Sequence, residues 1–479
     1  MGRDVGQVKR IDVLPDDILL EIFDFYLGVL GCINKFKTGT EAWHVLVHVC
    51  RRWRNLVFGS PCRLNLRLFC TPKTPAKDTL DVWPALPLIV WDLFSCFSPT
   101  DNVIAILGRS ERVREVTILC LPNWKMENVM AEMQVPFPKL TVLRLSSFDE
   151  IVPDIPDSFL GGSAPSLQSL YLHGIPFPGL PKLLLSTTHL ISLSLTNIPH
   201  SWYISPKAIV ALISELSSLE SLSLEFDSPL SHPDRETRSL PPLKRSILPA
   251  LNRFYFKGVI EYLEKVATRI DTPLLHQMQI NFLNQIDYAC PRLAQFINCT
   301  SSFRVLDRAR VQFDDDTASV NLCRFETSHS GSDYLRINIL CGAPDRQLSS
   351  IEKVCNSLLH ALSTVKDLYI ALPYSELVWK HDATKSTQWL RLLLSFTMAK
   401  NLYLSKNYSP DIAAALKELV GGRVTEVLPS LQNIFMEGFG ASGAVSENIG
   451  QFAAVRRLSG HPIAISDWDK DKDFDMTSI

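Results

Sequence analysis

The sequence predicts an α/β chain in which a small N-terminal helical module precedes a long array of strand–helix units. A short strand signature recurs along most of the chain, and helical segments separate its copies. In the first sixty positions the apolar residues instead have the spacing of amphipathic helices. We expect the strands of the array to be parallel and inside, with the helices outside.

The composition is that of a folded chain with a sizeable core. It has 479 residues, 46% hydrophobic and 20% charged, which argues against wholesale disorder. The net charge of −2 argues against a general nucleic-acid binder, which needs a basic footprint. The eleven cysteines form no CxxC pair, so we expect reduced thiols and a cytoplasmic or nuclear location. Polar residues 1–10 predict no signal peptide, and no apolar run is long enough to span a bilayer.

The helical module is predicted from two amphipathic stretches. In the first, Pro15 suits a first helical position, and Asp16 and Asp17 place negative charge on the first turn. Its apolar stripe contains Ile18, Leu19, Ile22, Phe23 and Tyr26. The second stretch is predicted as one helix whose apolar side contains Trp43, Leu46, Val49, Cys50, Trp53 and Leu56. Its other side carries Arg51, Arg52 and Arg54, which we expect to be solvated.

Two strings, LPDDIL at 14–19 and VCRRWR at 49–54, together resemble an F-box. This family is the short helical module by which receptor proteins dock onto the Skp-type adaptor of cullin–RING ubiquitin ligases. Asp17 stands where the family usually has Glu, and Gly28 to Thr40 lengthens the link between the strings. The alternative is a helical cap for the downstream domain. The resemblance implies that the adaptor is contacted by Leu14, Pro15, Ile18, Leu19, Ile22, Cys50 and Trp53.

The strand signature is L-x-x-L-x-L or a close relative. Copies begin at Val113, Leu140, Leu167, Leu190, Leu219, Leu251, Leu275, Val365, Ala399 and Leu431. The first seven copies lie 23 to 32 residues apart, near the leucine-rich-repeat range. A doubly wound α/β sheet also alternates strands with helices. The phrasing of the signature and the early helical module favour an irregular leucine-rich-repeat-like solenoid.

We therefore expect three regions along the chain. The F-box-like module covers 8–62, and the solenoid covers 63–466 with an irregular β insertion near 303–340. A charged tail, expected to be mobile, covers 467–479. Residues 228–246 are rich in Pro, Ser and charge and are predicted to form a loop.

The variable positions of the strand signature predict a binding surface. Side chains alternate along a strand, so these positions point together onto the concave face of a solenoid. Several are Tyr or Arg, which are enriched in binding hot spots, although aromatic residues are also good strand formers. The candidate target-binding residues are Arg144, Tyr171, Arg253, Tyr255, Tyr369, Tyr403 and Phe435.

No pattern indicates catalysis, a cofactor or a metal site. Gly438 to Gly443 matches GxGxxG, but only twelve residues follow Asp467, too few to complete a dinucleotide fold. His44 and His48 have a metal-compatible spacing but no third ligand nearby. The resemblance thus implies a non-catalytic substrate receptor of an SCF-type ligase, which binds a Skp-type adaptor and an unknown target protein. The alternatives are a ligase-independent binding scaffold and a nucleotide-dependent enzyme.

Overall fold

The computed structural model describes residues 14–34, 43–81, 84–149, 152–199, 202–227, 245–283, 288–324, 333–341, 344–371, 385–419, 421–438 and 443–469. The chain divides into two compact units, Met1–Leu190 (unit 1) and Ile191–Ile479 (unit 2). Among the described residues, no helix is both long enough and apolar enough to cross a membrane.

Unit 1 begins with helices and continues as alternating strands and helices. Its helices are α1 (Asp16–Asn34), α2 (Trp43–Val49), α3 (Arg51–Gly59), α4 (Ala76–Thr79), α5 (Asp101–Leu107), α6 (Asn123–Glu132) and α7 (Leu180–Leu184). Its strands are β1 (Leu68–Cys70), β2 (Leu88–Asp92), β3 (Val113–Ile118), β4 (Val142–Ser146) and β5 (Ser169–His173). These strands are parallel and lie in sequence order.

Unit 2 repeats the same alternation over more strands. Its helices are α8 (Pro206–Ser214), α9 (Ile260–Ala267), α10 (Pro291–Cys299), α11 (Pro344–Ser357), α12 (Leu359–Leu362), α13 (Ser386–Leu394), α14 (Ser409–Lys417) and α15 (Gly443–Leu458). Its strands before the insertion are β6 (Ser192–Ile198), β7 (Ser221–Phe226), β8 (Ser246–Ile247), β9 (Arg253–Gly258), β10 (Ile270–Asp271) and β11 (Gln277–Phe282). The later strands are β12 (Arg308–Phe313), β13 (Thr317–Cys323), β14 (Tyr334–Leu340), β15 (Asp367–Ile370), β16 (Asn401–Leu404), β17 (Asn433–Met436) and β18 (Ala464–Asp467).

The leucines of the signature form strands because one face of each strand is buried against helices. In β7, Leu222, Leu224 and Phe226 are buried, while the alternating residues Ser221, Ser223 and Glu225 are half-buried. Phe226 packs on Tyr262 of α9 with ring centroids 4.6 Å apart. Each buried leucine contributes about 1.5–3 kcal/mol relative to an exposed one. A single unit has no partner for this face, so the stability comes from stacking.

The segment expected to be an irregular β insertion contains β12, β13 and β14. β13 is antiparallel to both neighbours, and β12 lies beside β15 while β14 lies beside β11. The large sheet of unit 2 therefore runs β6-β7-β9-β11-β14-β13-β12-β15-β16-β17-β18. β8 and β10 form a separate parallel pair.

The solenoid prediction is confirmed by this topology. A doubly wound sheet reverses its strand order at a switch point. Here the parallel strands β1 to β5 follow each other in sequence, and so do β15 to β18. Of the predicted loop at 228–246, residues 228–244 lie outside the described part of the chain.

The structure corrects the expected start of the mobile tail. Asp467 ends β18, which pairs with β17, and Trp468 is only 4% exposed. Trp468 also donates its backbone N–H to the Met436 carbonyl at 2.9 Å. The ordered array therefore extends at least through Trp468, and residues 470–479 lie outside the described part of the chain.

Arg456 in α15 is fully buried, which sequence reasoning did not foresee. Its guanidinium group holds a turn that contains Leu428, a non-glycine residue with φ of 49°. Nη1 and Nη2 lie 3.1–3.4 Å from five backbone oxygens, those of Val424, Val427, Leu428, Pro429 and Leu431. This one side chain donates to the carbonyls of a whole turn, among which that of Leu428 also accepts the Leu431 backbone N–H at 3.0 Å.

We predict that Arg456→Met lowers the free energy of unfolding by about 3 kcal/mol or more, because each buried carbonyl left unsatisfied costs about 1–3 kcal/mol. The neighbouring Arg457 is exposed. Arg457→Met should therefore change stability by less than about 0.5 kcal/mol. Urea denaturation followed by circular dichroism measures both variants, and equal effects would contradict the assigned role.

Candidate protein-binding surfaces

The N-terminal helix α1 has apolar side chains on two sides. Leu19 and Phe23 are fully buried, and they form the inner side of the module. Ile18, Ile22 and Phe25 are 44%, 41% and 75% exposed. These three occupy positions i, i+4 and i+7, so they share one outward stripe. The single apolar stripe predicted for this helix is thus divided between core and surface.

The predicted second helix is in fact two helices that meet at Cys50. The backbone of Cys50 is extended, with φ of −158° and ψ of 170°, so the helix cannot continue through it. Its Sγ accepts the Trp53 backbone N–H at 3.4 Å and caps α3. Val45 and Val49 of α2 are left 57% and 54% exposed.

Arg52 ties the two ends of the module together. Its Nη2 donates to the Leu14 carbonyl at 2.6 Å and to Asp16 Oδ1 at 2.5 Å. Its Nε donates to the same carboxylate oxygen at 3.0 Å. The Arg52 side chain keeps 36% of its surface exposed, so it lies at the solvated face expected for it and also fixes the start of α1 against α3.

Trp43 anchors the module to the first strand region. It is 1% exposed, and its Nε1 donates to the Arg67 carbonyl at 2.9 Å. The ring meets Phe58 of α3 edge-on with centroids 5.8 Å apart. The helical module is therefore fixed to the rest of unit 1 by a buried contact.

The predicted adaptor-facing residues fall into two groups. Pro15, Ile18 and Ile22 are exposed, whereas Leu19 is fully buried and cannot contact a partner from this conformation. The other three are half-buried with structural contacts: Leu14 binds Arg52, Cys50 caps α3, and Trp53 packs on Phe23 with centroids 4.7 Å apart. Sequence reasoning left three exposed residues out of the site, Phe25, Val45 and Val49.

The face of the unit 2 sheet opposite the helices, called the open face here, carries two rows of side chains that are half-buried or exposed except for Cys323 and Tyr369. Row A contains Ser192, Ser221, Arg253, Gln277, Tyr334, Cys323, Arg308, Asp367, Asn401, Asn433 and Ala464. Row B contains Ser194, Ser223, Tyr255, Gln279, Arg336, Asn321, Arg310, Tyr369, Tyr403, Phe435 and Ser466. The strand register thus brings the variable positions of separate repeats into continuous lines.

Three candidate target-binding residues stack in row B. Tyr369 and Tyr403 are nearly parallel, with centroids 4.2 Å apart, and Tyr403 stacks on Phe435 at 4.6 Å. Trp468 lies against this ladder, 6.0 Å from Tyr369 and 5.6 Å from Tyr403 between centroids. Tyr369 is consequently only 7% exposed, so the chain itself covers part of its predicted binding surface.

Row A contains a ladder of side-chain hydrogen bonds that the sequence did not predict. Asn433 Nδ2 donates to Asn401 Oδ1 at 2.7 Å, and Asn401 Nδ2 donates to Asp367 Oδ1 at 2.6 Å. Residues one repeat apart give no local signal of such a bond. The ladder holds the polar groups beside the stacked rings in one arrangement.

The remaining candidates lie elsewhere. In unit 2, Arg253 is exposed, and the Tyr255 hydroxyl accepts from Asn281 Nδ2 at 2.7 Å. In unit 1, Arg144 and Tyr171 are register partners on β4 and β5. The Tyr171 ring is parallel to that of His173, with centroids 6.4 Å apart.

The described residues contain no candidate metal centre. No group of three or more His, Cys, Asp or Glu side chains there could hold a metal ion. His44 is half-buried, and burial, together with the nearby His48, lowers its pKa. The GxGxxG stretch lies largely outside the described residues, since 439–442 are not among them.

No protein-family model and no curated protein matches this sequence. Among solved structures, the leucine-rich repeat-containing protein LegL7 from Legionella pneumophila is 13% identical, with 82% of this chain and 97% of that one covered and a TM-score of 0.27. A chain of the complex of Rad7 and Elc1 from yeast is 13% identical, with 88% of this chain and 88% of that one covered and a TM-score of 0.30. Both TM-scores are low, so we draw nothing about function from either likeness.

We predict that Cys50→Ser keeps or slightly raises the stability of the module, whereas Cys50→Ala lowers it by about 1 kcal/mol, because serine caps a helix well and alanine does not. Hydrogen exchange at the backbone N–H of Trp53 and urea denaturation report the cap. Equal stability of the two variants would show that the thiol does not act as a cap.

Proposed function

We propose that the chain is a non-catalytic substrate receptor of an SCF-type cullin–RING ubiquitin ligase. The helical module docks the Skp-type adaptor, and the array binds a target protein, in the cytoplasm or the nucleus. The docking surface consists of Pro15, Ile18 and Ile22, extended by Phe25 on α1 and by Val45 and Val49 on α2.

The observation that carries this proposal is the outward apolar stripe of α1. A small module needs its apolar side chains for its own core, and Leu19, Phe23 and Trp43 already supply that core. Ile18, Ile22 and Phe25 keep 41–75% of their surface exposed, and they lie in line on one side. Exposed apolar groups that form a continuous patch mark an interaction site.

The mechanism is proximity rather than chemistry in this chain. A receptor that holds a target beside a ubiquitin-charged enzyme raises the local concentration of target lysines, which makes the transfer effectively intramolecular. Such a receptor needs a firm link between docking module and array. The buried Trp43 contact with the Arg67 carbonyl provides that link within unit 1.

The test is co-purification of the full chain with a Skp-type adaptor and cullin. An Ile18→Glu, Ile22→Glu double variant should lower capture at least ~10-fold, because it places two charges in the apolar centre of the interface. Leu185→Glu is the matched control, since Leu185 is an exposed leucine of unit 1 outside the module at 65% exposure. Circular dichroism and thermal melts establish that each variant is folded.

Three results are possible. Capture by wild type and by the control, lost in the double variant, supports the docking surface. No capture by the folded wild type overturns the ligase proposal and leaves a ligase-independent scaffold. Equal capture by all three chains overturns the surface assigned to α1.

A further inference from the structure

A cluster of arginines lies at the centre of the open face of unit 2. Arg308 and Arg310 belong to β12, and Arg336 belongs to β14. Arg310 and Arg336 are both register partners of Asn321, on the strand between them. Neighbouring strands are ~4.8 Å apart, so these two arginines flank Asn321 within ~10 Å. All three arginines are half-buried, and their charges act on one thiol: burial raises the pKa of Cys323, while each of them lowers it.

The arginines adjoin the stacked rings of row B. The guanidinium carbons of Arg308 and Arg310 lie 5.4 and 5.9 Å from the centre of the Tyr369 ring. A cation at this distance is attracted to the ring face. We call the group Arg308, Arg310, Arg336, Tyr369 and Tyr403 the arginine–aromatic surface. It places three positive charges beside flat aromatic rings.

Positive charge continues from this surface to a cavity at one end of the strands. The cavity has a volume of about 630 Å³ and lies where β12, β15 and β16 begin. Among the described residues of its lining, Asp307 is the one carboxylate, and Lys366 Nζ lies 3.8 Å from the Asp307 Oδ2. The cationic lining residues are Arg304, Arg324, Lys366 and Lys400. In the described lining, cations outnumber the carboxylate four to one, so this end of the strands favours an acidic ligand.

The aromatic part of the surface already holds a side chain of matching chemistry. Trp468 packs on Tyr369 and Tyr403, and aspartates stand on both sides of it in the sequence. The stretch 467–475 contains five aspartates and two lysines. β18 and β12 are four strand spacings apart in the sheet, which is ~19 Å. The ten residues 470–479, fully extended, reach ~33 Å.

We propose that the arginine–aromatic surface binds an acidic protein segment that carries an aromatic side chain, and that residues 467–479 are its ligand within the same chain. Arginine clusters recognise carboxylates through charge-assisted hydrogen bonds, and stacked rings accept an indole or phenyl group. A target segment of the same chemistry binds by displacing the chain's own segment. The inference rests on the proposed function in one respect: the external segment is taken to belong to the target protein of the receptor.

The experiment uses a fluorescein-labelled peptide with the sequence of residues 466–479 and measures its anisotropy on the full chain. Binding to wild type is weak, because the attached segment competes at an effective concentration in the millimolar range. Trp468→Ala, which weakens the attached competitor, should tighten peptide binding at least ~10-fold. A chain ending at Ser466, which keeps most of β18 but lacks the competitor, should bind at least as tightly as Trp468→Ala.

The chemistry of the surface is tested in the Trp468→Ala background. Arg308→Gln with Arg310→Gln should weaken the peptide at least ~10-fold, because both charge-assisted contacts are lost. Arg391→Gln is the matched control, an exposed arginine of α13 that lies outside the open face, and should leave the affinity unchanged. A peptide whose aspartates are replaced by asparagine should bind as weakly as the peptide does to the double variant.

Two outcomes overturn the inference. One is failure of the peptide to bind either the folded Trp468→Ala chain or the folded chain ending at Ser466. The other is tighter binding of single-stranded oligouridylate than of the peptide, which would assign the surface to RNA. Adaptor capture, measured on the same variants, separates this inference from the docking proposal: peptide binding without capture leaves an acidic-segment scaffold outside a ligase.

Discussion

The structure depends on the burial of one face of the signature strands against the helix layer. Leu222, Leu224 and Phe226 show the pattern in β7, and Phe313 of β12 shows it again against Trp389 of α13, with ring centroids 5.7 Å apart. Because side chains alternate along a strand, burying one face necessarily frees the other. The open face is therefore not an added feature. It is the face left over by the packing that stabilises the array, and around Tyr369 it carries a small apolar cluster of its own with Trp468.

That freedom explains why the open face concentrates polar and aromatic groups whose partners lie one repeat away. Tyr369, Tyr403 and Phe435 stack, while Asp367 and two asparagines form a hydrogen-bond ladder beside them. The same repetition that builds the core thus aligns like residues into rows. The module at the other end of the sequence follows a different rule, since its exposed groups lie on helices whose opposite sides are already buried.

The repeat was predictable because its signal is local and recurs. Every L-x-x-L-x-L copy from Leu140 onward has a strand beginning two residues after its first position. The features that escaped prediction depend on distant contacts or on an unusual use of a residue. The break at Cys50 needs a thiol acting as a cap, and the burial of Arg456 needs five carbonyls gathered from another loop. Trp468 stands in a stretch that is otherwise acidic, so nothing beside it marks it as a core residue. Of the candidate site, sequence periodicity located the helix and the strands, but not which side of α1 faces out.

The ladder in row A has a direction. Asn433 donates to Asn401, and Asn401 donates to Asp367, whose carboxylate can only accept. An amide chain ending on amides would be equally satisfied with every donor and acceptor exchanged. Because Asp367 carries a carboxylate, only one of the two hydrogen-bond directions is possible. It therefore orients the amides of Asn401 and Asn433 on the next two strands. Asp367 therefore sets the direction of the side-chain hydrogen bonds in this part of the sheet. An amide in its place would keep every apolar contact of β16 and β17, but the amides of Asn401 and Asn433 would no longer have one preferred orientation.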